Sequence, residues 1–95
     1  MAKTYIWAQD AGHAWLAVKA GELVSLGIQD KISSYSYVKG STVYLEEDCD
    51  FGLLYDACEK MGVKLEWNEI HIDDQHWIRR LPRYSSSRRV VYDCV

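Results

Sequence analysis

The sequence predicts a single small α+β domain in ββαββαβ order, with an antiparallel or mixed sheet of about five strands and one main helix packed on one face. A chain of 95 residues has room for one hydrophobic core. Short segments of alternating apolar and polar residues predict the strands, and one apolar stripe with helical spacing predicts the main helix. We expect residues 1–78 to form the compact domain and residues 79–95 to form an Arg-rich C-terminal segment with a candidate final strand.

The first hairpin is predicted at residues 3–9 and 13–18, which flank a short polar turn. Asp10 can open this turn, and Gly12 can take a left-handed conformation in a bulged loop. A short helix or helical turn follows at residues 20–28. Three of its apolar side chains are expected to face inward, and a glycine is expected to end it: Leu23, Val24, Leu26 and Gly27.

A second hairpin is predicted at residues 35–38 and 42–46, with Gly40 in the turn. The strongest helix signal follows at residues 50–62, where Gly62 is the expected stop. The apolar residues of this segment recur at helical spacing and predict a buried stripe: Phe51, Leu54, Tyr55, Cys58 and Met61.

The acidic stretch YLEEDCD precedes this helix. Either Asp48 or Asp50 can serve as the N-cap, a role that contributes ~1 kcal/mol by accepting backbone N–H bonds. Glu46 and Glu47 end a strand and are expected to point to opposite faces. A metal site is not expected here, because the carboxylates lack the regular spacing of a calcium-binding loop.

Residues 63–73 predict a further strand, although their apolar pattern changes phase midway. A bulge near Asn68–Glu69 would reconcile the two halves. Residues 90–95 predict a final short strand. Because an exposed strand of this kind can pair across a two-fold axis, a homodimer is a candidate assembly.

Charge is distributed unevenly along the chain, whose net charge is −3. Residues 1–78 hold six lysines and thirteen acids, a balance of −7, whereas residues 79–95 hold five arginines and one acid, a balance of +4. The arginines could bind nucleic acid, or they could pair with the domain's own carboxylates. The pI of about 5.5 is low for a nucleic-acid-binding domain. The arginines concerned are Arg79, Arg80, Arg83, Arg88 and Arg89.

A metal-dependent enzyme is a further alternative. His71, Asp73 and His76 could present two imidazoles and a carboxylate to a transition metal. Their spacing matches no established zinc or iron signature. The sequence also contains no phosphate-binding loop, dinucleotide fingerprint or nucleophile elbow. We therefore expect no cofactor and no enzymatic activity.

The N-terminal residues lack the apolar core and the cleavage site of a signal peptide. No apolar run approaches the ~20 residues that span a bilayer. Three cysteines, an odd number, argue against a disulfide framework. These features predict a cytoplasmic protein with free thiols and no membrane contact.

Several stretches resemble one group of short, uncharacterised proteins of bacteriophages and prophages. They are GHAWLAV at 12–18, LGIQDKISSYSYVKG at 26–40 and VYLEEDCD at 43–50. Members of the group often carry Gly-His-x-Trp-Leu after an Asp-Pro turn, whereas this chain has Asp10-Ala11 at that place. The resemblance implies a phage or prophage origin and a location in the host bacterial cell, and it implies no established activity.

Small accessory proteins of mobile elements commonly bind a host protein, including components of antiviral defence. Surplus Tyr and Trp, in place of Phe, are typical of exposed sheet faces and interfaces. We therefore expect an interaction protein whose partner is a host protein. The predicted contact surface is an exposed aromatic sheet face with an acidic rim: Trp15, Tyr35, Tyr37, Tyr44, Glu46 and Glu47.

Overall fold

The computed structural model describes residues 2–71 and 77–85. Its elements are, in order, β1 (Ala2–Gln9), β2 (Ala14–Lys19), α1 (Ala20–Ser25), a 3-10 turn (Gln29–Lys31), β3 (Tyr37–Lys39), β4 (Thr42–Glu46), α2 (Phe51–Lys60), β5 (Lys64–His71) and a second 3-10 turn (Trp77–Arg80). The strands form one mixed sheet of order β3-β4-β2-β1-β5, in which β5 runs parallel to β1 and the other pairs are antiparallel. The predicted fold class is confirmed, and the predicted strand at 90–95 lies outside the described residues.

The turn between β1 and β2 is held by a side chain. Asp10 Oδ1 accepts hydrogen bonds from the backbone N–H groups of Gly12, at 2.9 Å, and His13, at 2.8 Å. The prediction that Asp10 opens the turn is confirmed. The prediction of a left-handed Gly12 is wrong, because the Asp10 carboxylate closes the loop without that conformation. Left-handed glycines end α1 and α2 and form the β3–β4 turn, as expected: Gly27, Gly62 and Gly40.

β5 pairs with β1 without interruption, from Ala2 opposite Lys64 to Gln9 opposite His71. The predicted bulge near Asn68–Glu69 is therefore wrong. The apolar pattern changes phase because an edge strand need not bury either face completely. Its second half accordingly leaves Ile70 44% exposed on the face opposite the helices.

The main core lies between the sheet and the two helices. Its most deeply buried side chains have no exposed surface: Leu16, Leu23, Val43, Leu45 and Leu54. Within α2, Leu54 and Cys58 are buried as predicted, whereas Tyr55 and Met61 are exposed. Leu53 and Ala57 pack against the core instead, so α2 is rotated about its axis from the predicted orientation. Val24 of α1 is likewise exposed rather than inward.

The opposite face of the sheet is partly covered by residues 77–85. Ile78 is 1% exposed and packs with Ala8 and Trp15 in a second apolar cluster. The segment continues along β3, where the backbone N–H of Val38 donates to Pro82 O at 2.9 Å. The described part of the Arg-rich segment is thus folded back on the domain and contributes to its core.

Neither α-helix in the described part of the chain is long and apolar enough to cross a membrane.

Candidate functional site

Three carboxylates are buried at one end of the sheet. Asp10, Glu46 and Asp50 are 7%, 6% and 1% exposed, and all of them border loops. Moving a carboxylate out of water costs on the order of several kcal/mol, unless hydrogen bonds or ion pairs offset this penalty. Each of these groups therefore needs a partner, and the partners define the site.

Asp50 ties the residues that precede α2 to the 33–36 loop. Its carboxylate accepts hydrogen bonds from Ser33 N, at 2.9 Å, from Ser33 Oγ, at 2.7 Å, and from Ser36 Oγ. It stands at the N-cap position of α2 but makes no capping hydrogen bond. The predicted capping role is wrong because three donors from the neighbouring loop satisfy this carboxylate instead.

Glu46 organises the turn that follows β4. Its Oε1 accepts hydrogen bonds from the backbone N–H groups of Asp48, at 2.8 Å, and Cys49, at 2.9 Å. Its Oε2 lies 3.4 Å from His13 Nδ1, and its own N–H donates to Ser36 Oγ at 3.0 Å. Glu46 is therefore buried and engaged, whereas the sequence predicted an exposed acidic rim at this position.

Asp10 binds the Arg-rich segment. Arg79 Nε donates to Asp10 Oδ2 at 2.7 Å, and the Arg79 guanidinium lies 5.3 Å from the ring centroid of Trp15. The bond from Arg79 and those from the backbone of His13 and Gly12 outweigh burial and lower the pKa of Asp10 to about 2. Arg79 thus pairs with a carboxylate of the domain itself, which is one of the two alternatives that the sequence left open.

Between these loops lies a recess of about 370 Å³. Arg83 forms part of its wall, where Nη1 donates to Ser34 O at 3.0 Å and the guanidinium lies 5.4 Å from the Tyr37 ring centroid. The recess is lined by His13, Trp15, Tyr35, Tyr37, Glu46, Asp48, Cys49, Arg79 and Arg83. Because each surrounding loop is held by a buried carboxylate or by Arg83, the recess is formed before any ligand arrives.

The structure places four of the predicted contact residues in the recess: Trp15, Tyr35, Tyr37 and Glu46. Tyr35 is 62% exposed at the rim, but Trp15 is 2% exposed, so the expectation of an exposed Trp15 is wrong. The physical reason is that Ile78 and Arg79 cover it. Tyr44 lies outside the recess and packs edge-on against Trp77 at 5.3 Å.

Glu47 also lies outside the recess lining and is half-buried. Burial and the adjacent carboxylates of Asp48 and Glu46 raise its pKa. Sequence reasoning missed that Arg79 and Arg83 both reach the recess, where Arg79 lies over the Trp15 ring and Arg83 over the Tyr37 ring. The signal that pointed to it was the excess of positive charge after residue 78, opposite an acidic body.

Cys49 brings a thiol to the recess, near His13 and Glu46. Desolvation and the carboxylates of Glu46, Asp50 and Asp48 raise the pKa of this thiol. A thiol must ionise to act as a nucleophile, so this environment disfavours cysteine-dependent catalysis.

Of the three residues of the metal hypothesis, one lies in the part of the chain that the structure describes. His71 is exposed at the end of β5, and Asp73 and His76 lie outside the described residues. Within residues 2–71 and 77–85, no group of three or more His, Cys, Asp or Glu side chains could hold a metal ion. Of the remaining arginines, Arg80 is exposed, and Arg88 and Arg89 lie outside the described residues.

A second depression, of about 420 Å³, lies at the other end of the sheet. Lys3 and Lys19 line it, and Glu22 forms an ion pair with Lys3 at 3.8 Å. Long exposed lysine side chains do not give a surface a fixed shape, because they retain many rotamers. The recess around Tyr35 is therefore the better candidate site, since hydrogen bonds fix its walls.

The chain is a small α+β domain with a recess lined by polar and aromatic side chains. The chain matches no protein-family model, no curated protein and no solved structure. The assignment to a group of bacteriophage proteins stays a prediction.

The Asp10–Arg79 pair predicts a loss of stability in acid. The pKa of Asp10 in the folded protein, about 2, lies below the ordinary value of 3.8, so the contribution of this pair to stability is present above pH 4 and is lost as the pH falls from 4 to 2. We expect the free energy of unfolding to fall by roughly 1–2 kcal/mol from this cause, a value that allows for the partly exposed guanidinium. Urea unfolding of the wild type and of Asp10→Asn, followed between pH 7 and pH 2, measures it. An equal slope of stability against pH in both proteins between pH 4 and pH 2 would contradict this assignment.

Proposed function

We propose that this protein is a small phage-type accessory protein of the bacterial cytoplasm that binds a host protein through the recess and its rim. The observation that carries the proposal is Tyr35, which stands 62% exposed on a loop held by hydrogen bonds from Ser33 and Ser36 to the buried Asp50. A large side chain presented by a rigid loop makes contacts without the cost of ordering that loop. Exposed tyrosine and arginine side chains are typical of the residues that dominate protein–protein interfaces.

The chemistry of the recess supports a polar protein segment as its ligand. Arg83 and Tyr37 stack at its wall, and Asp48 and His13 contribute exposed polar groups on the other side. Groups of both charge signs around an aromatic wall suit a partner segment that also carries both signs, because charge complementarity selects partners more than it adds affinity. From the resemblance to phage proteins, a component of host antiviral defence is the partner class to examine first.

Nucleic-acid contact through residues 79–95 is the less well supported function. Arg79 and Arg83, two of the five arginines, already contact Asp10 and Ser34 of the same chain. A phosphate group would have to compete with a 2.7 Å ion pair at Arg79. Contacts of these two arginines with the domain itself are the reason why this function is the less well supported.

The test uses Tyr35→Ala, with Tyr55→Ala as its matched control. Both tyrosines are exposed, at 62% and 42%, but Tyr55 lies on α2, away from the recess. The tagged wild type is used to capture and identify a partner from bacterial lysate treated with nuclease, and affinities are then measured by calorimetry with the purified partner. We expect Tyr35→Ala to weaken binding about tenfold or more and Tyr55→Ala to change it little. Equal effects of the two substitutions, or capture that is abolished by nuclease, would contradict the proposal.

A further inference from the structure

The outer edge of β5 plays no part in the proposed binding function. β5 is a terminal strand of the sheet and is 8 residues long. Within the described residues, β1 is its only partner strand, and the register between the two strands is unbroken. The strand contains no proline or bulge, two devices that protect a sheet edge from pairing with another chain, although it carries the charged residues Lys64, Glu66 and Glu69.

A cluster of four aromatic side chains borders this edge: Trp7, Phe51, Tyr55 and Trp67. Trp67 stacks on Trp7 with centroids 5.4 Å apart, and Phe51 meets both indole rings edge-on at 5.2 and 5.6 Å. Tyr55 extends the cluster along α2, 6.0 Å from Phe51. Trp67 and Tyr55 are 39% and 42% exposed. Apolar surface beside a strand edge, here one with no partner among the described residues, is typical of sites where another strand is added.

We propose that β5 pairs antiparallel with β5 of a second copy of this chain, with Trp67 opposite its own equivalent on the two-fold axis. A two-fold axis perpendicular to the sheet keeps the helix face of one copy continuous with that of the other. Residues that stand opposite each other must then point to the same face. Among the pairings in which the axis passes near the middle of β5, this leaves those with Glu66, Trp67 or Asn68 on the axis.

Charge and side-chain size select among these registers. A pair centred on Glu66 places two glutamates directly opposite each other, which is unfavourable. A pair centred on Asn68 places Trp67 opposite Glu69, so an aromatic ring faces a carboxylate. The pair centred on Trp67 places Glu66 opposite Asn68 twice and brings the two tryptophans together. In this register Leu65 stands opposite Glu69 and Lys64 opposite Ile70, so no like charges are directly opposite. Cross-strand aromatic pairs and amide–carboxylate pairs are both favourable, so this register has the most favourable central pairs of the three.

Crosslinking tests the register. In a chain that carries Cys49→Ser and Cys94→Ser, Trp67→Cys places two thiols on the axis. Opposite Cα atoms in antiparallel strands are about 4.5–5.5 Å apart, within the ~4.4–6.8 Å that a disulfide spans. We expect covalent dimers on mild oxidation. Met61→Cys in the same background, exposed at 65% on the end of α2, is the control for random collision. Crosslinking of Trp67→Cys no greater than that of Met61→Cys would overturn the proposal.

Charge substitutions at Asn68 test the same register without removing the tryptophan. Asn68→Lys places two lysines opposite two glutamates, whereas Asn68→Glu places two glutamates opposite two others. We expect the dimer dissociation constant from sedimentation equilibrium to be about tenfold lower for Asn68→Lys than for Asn68→Glu. The same two substitutions at Ser25, exposed on α1, control for net charge. A monomeric wild type, or a chain that dimerises only after deletion of residues 86–95, would overturn the proposal.

Discussion

Replacing Asp50 by alanine is expected to lower the free energy of unfolding by about 3 kcal/mol, because it leaves buried donors without an acceptor. The carboxylate is 1% exposed and accepts bonds from Ser33 N, Ser33 Oγ and Ser36 Oγ. Ser36 itself is completely buried, so water cannot readily replace the lost partner. Urea denaturation at neutral pH, monitored by tryptophan fluorescence, measures the change.

This prediction separates two roles for the same residue. If Asp50 acted as a helix cap, alanine would cost only ~1 kcal/mol. Asp48→Ala is the matched control, because Asp48 is exposed two residues earlier in the same acidic stretch. We expect the control to change stability by no more than about 0.5 kcal/mol. Similar losses from the two substitutions would show that Asp50 does not hold the 33–36 loop as described.

Ile78→Ala is expected to destabilise the protein by about 3 kcal/mol, since it opens a cavity in the second apolar cluster. Ile78 is 1% exposed and packs with Ala8 and Trp15, which are 4% and 2% exposed. Ile6→Ala is the control: Ile6 lies on the same face of the sheet but is 44% exposed, so we expect a loss of about 1 kcal/mol or less. Thermal and urea unfolding measure the change in stability of the two variants.

The result for Ile78 decides whether residues 77–85 are part of the folded domain. A large loss of stability means that the Arg-rich segment begins within the core, and that the boundary predicted after residue 78 does not separate two independent parts. A loss similar to that of Ile6→Ala would mean that the segment contributes little to folding. The same experiment bears on the recess, because Arg79 and Arg83 reach it from this segment.

The elements themselves were predictable because their causes are local. Alternating apolar residues specify β1, β2 and β4, and glycine at 27, 40 and 62 takes the left-handed conformation that a helix end or a tight turn requires. Asp10 opens its turn by bonding to the backbone two and three residues later. Each of these features depends on a few neighbouring residues and needs no knowledge of the rest of the fold.

The orientation of α2 was less predictable. Helical spacing allowed several overlapping apolar stripes, and the predicted one included Tyr55 and Met61, which are exposed. In the structure Leu53, Leu54 and Ala57 pack into the core, together with Phe51 and Cys58 of the predicted stripe. A single sequence does not contain the shape of the surface against which a helix packs.

The sequence by itself determined the class of fold, the approximate positions of the strands and α-helices, and the uneven distribution of charge. Only the tertiary structure decided the long-range partners of the carboxylates of Asp10, Glu46 and Asp50, because these partners come from other loops, up to 69 residues away along the chain. The same long-range packing buried Trp15 beneath Ile78 and Arg79 and left Tyr35 exposed. Burial depends on which distant segment covers a face of the sheet, and strand alternation tells only which face that is.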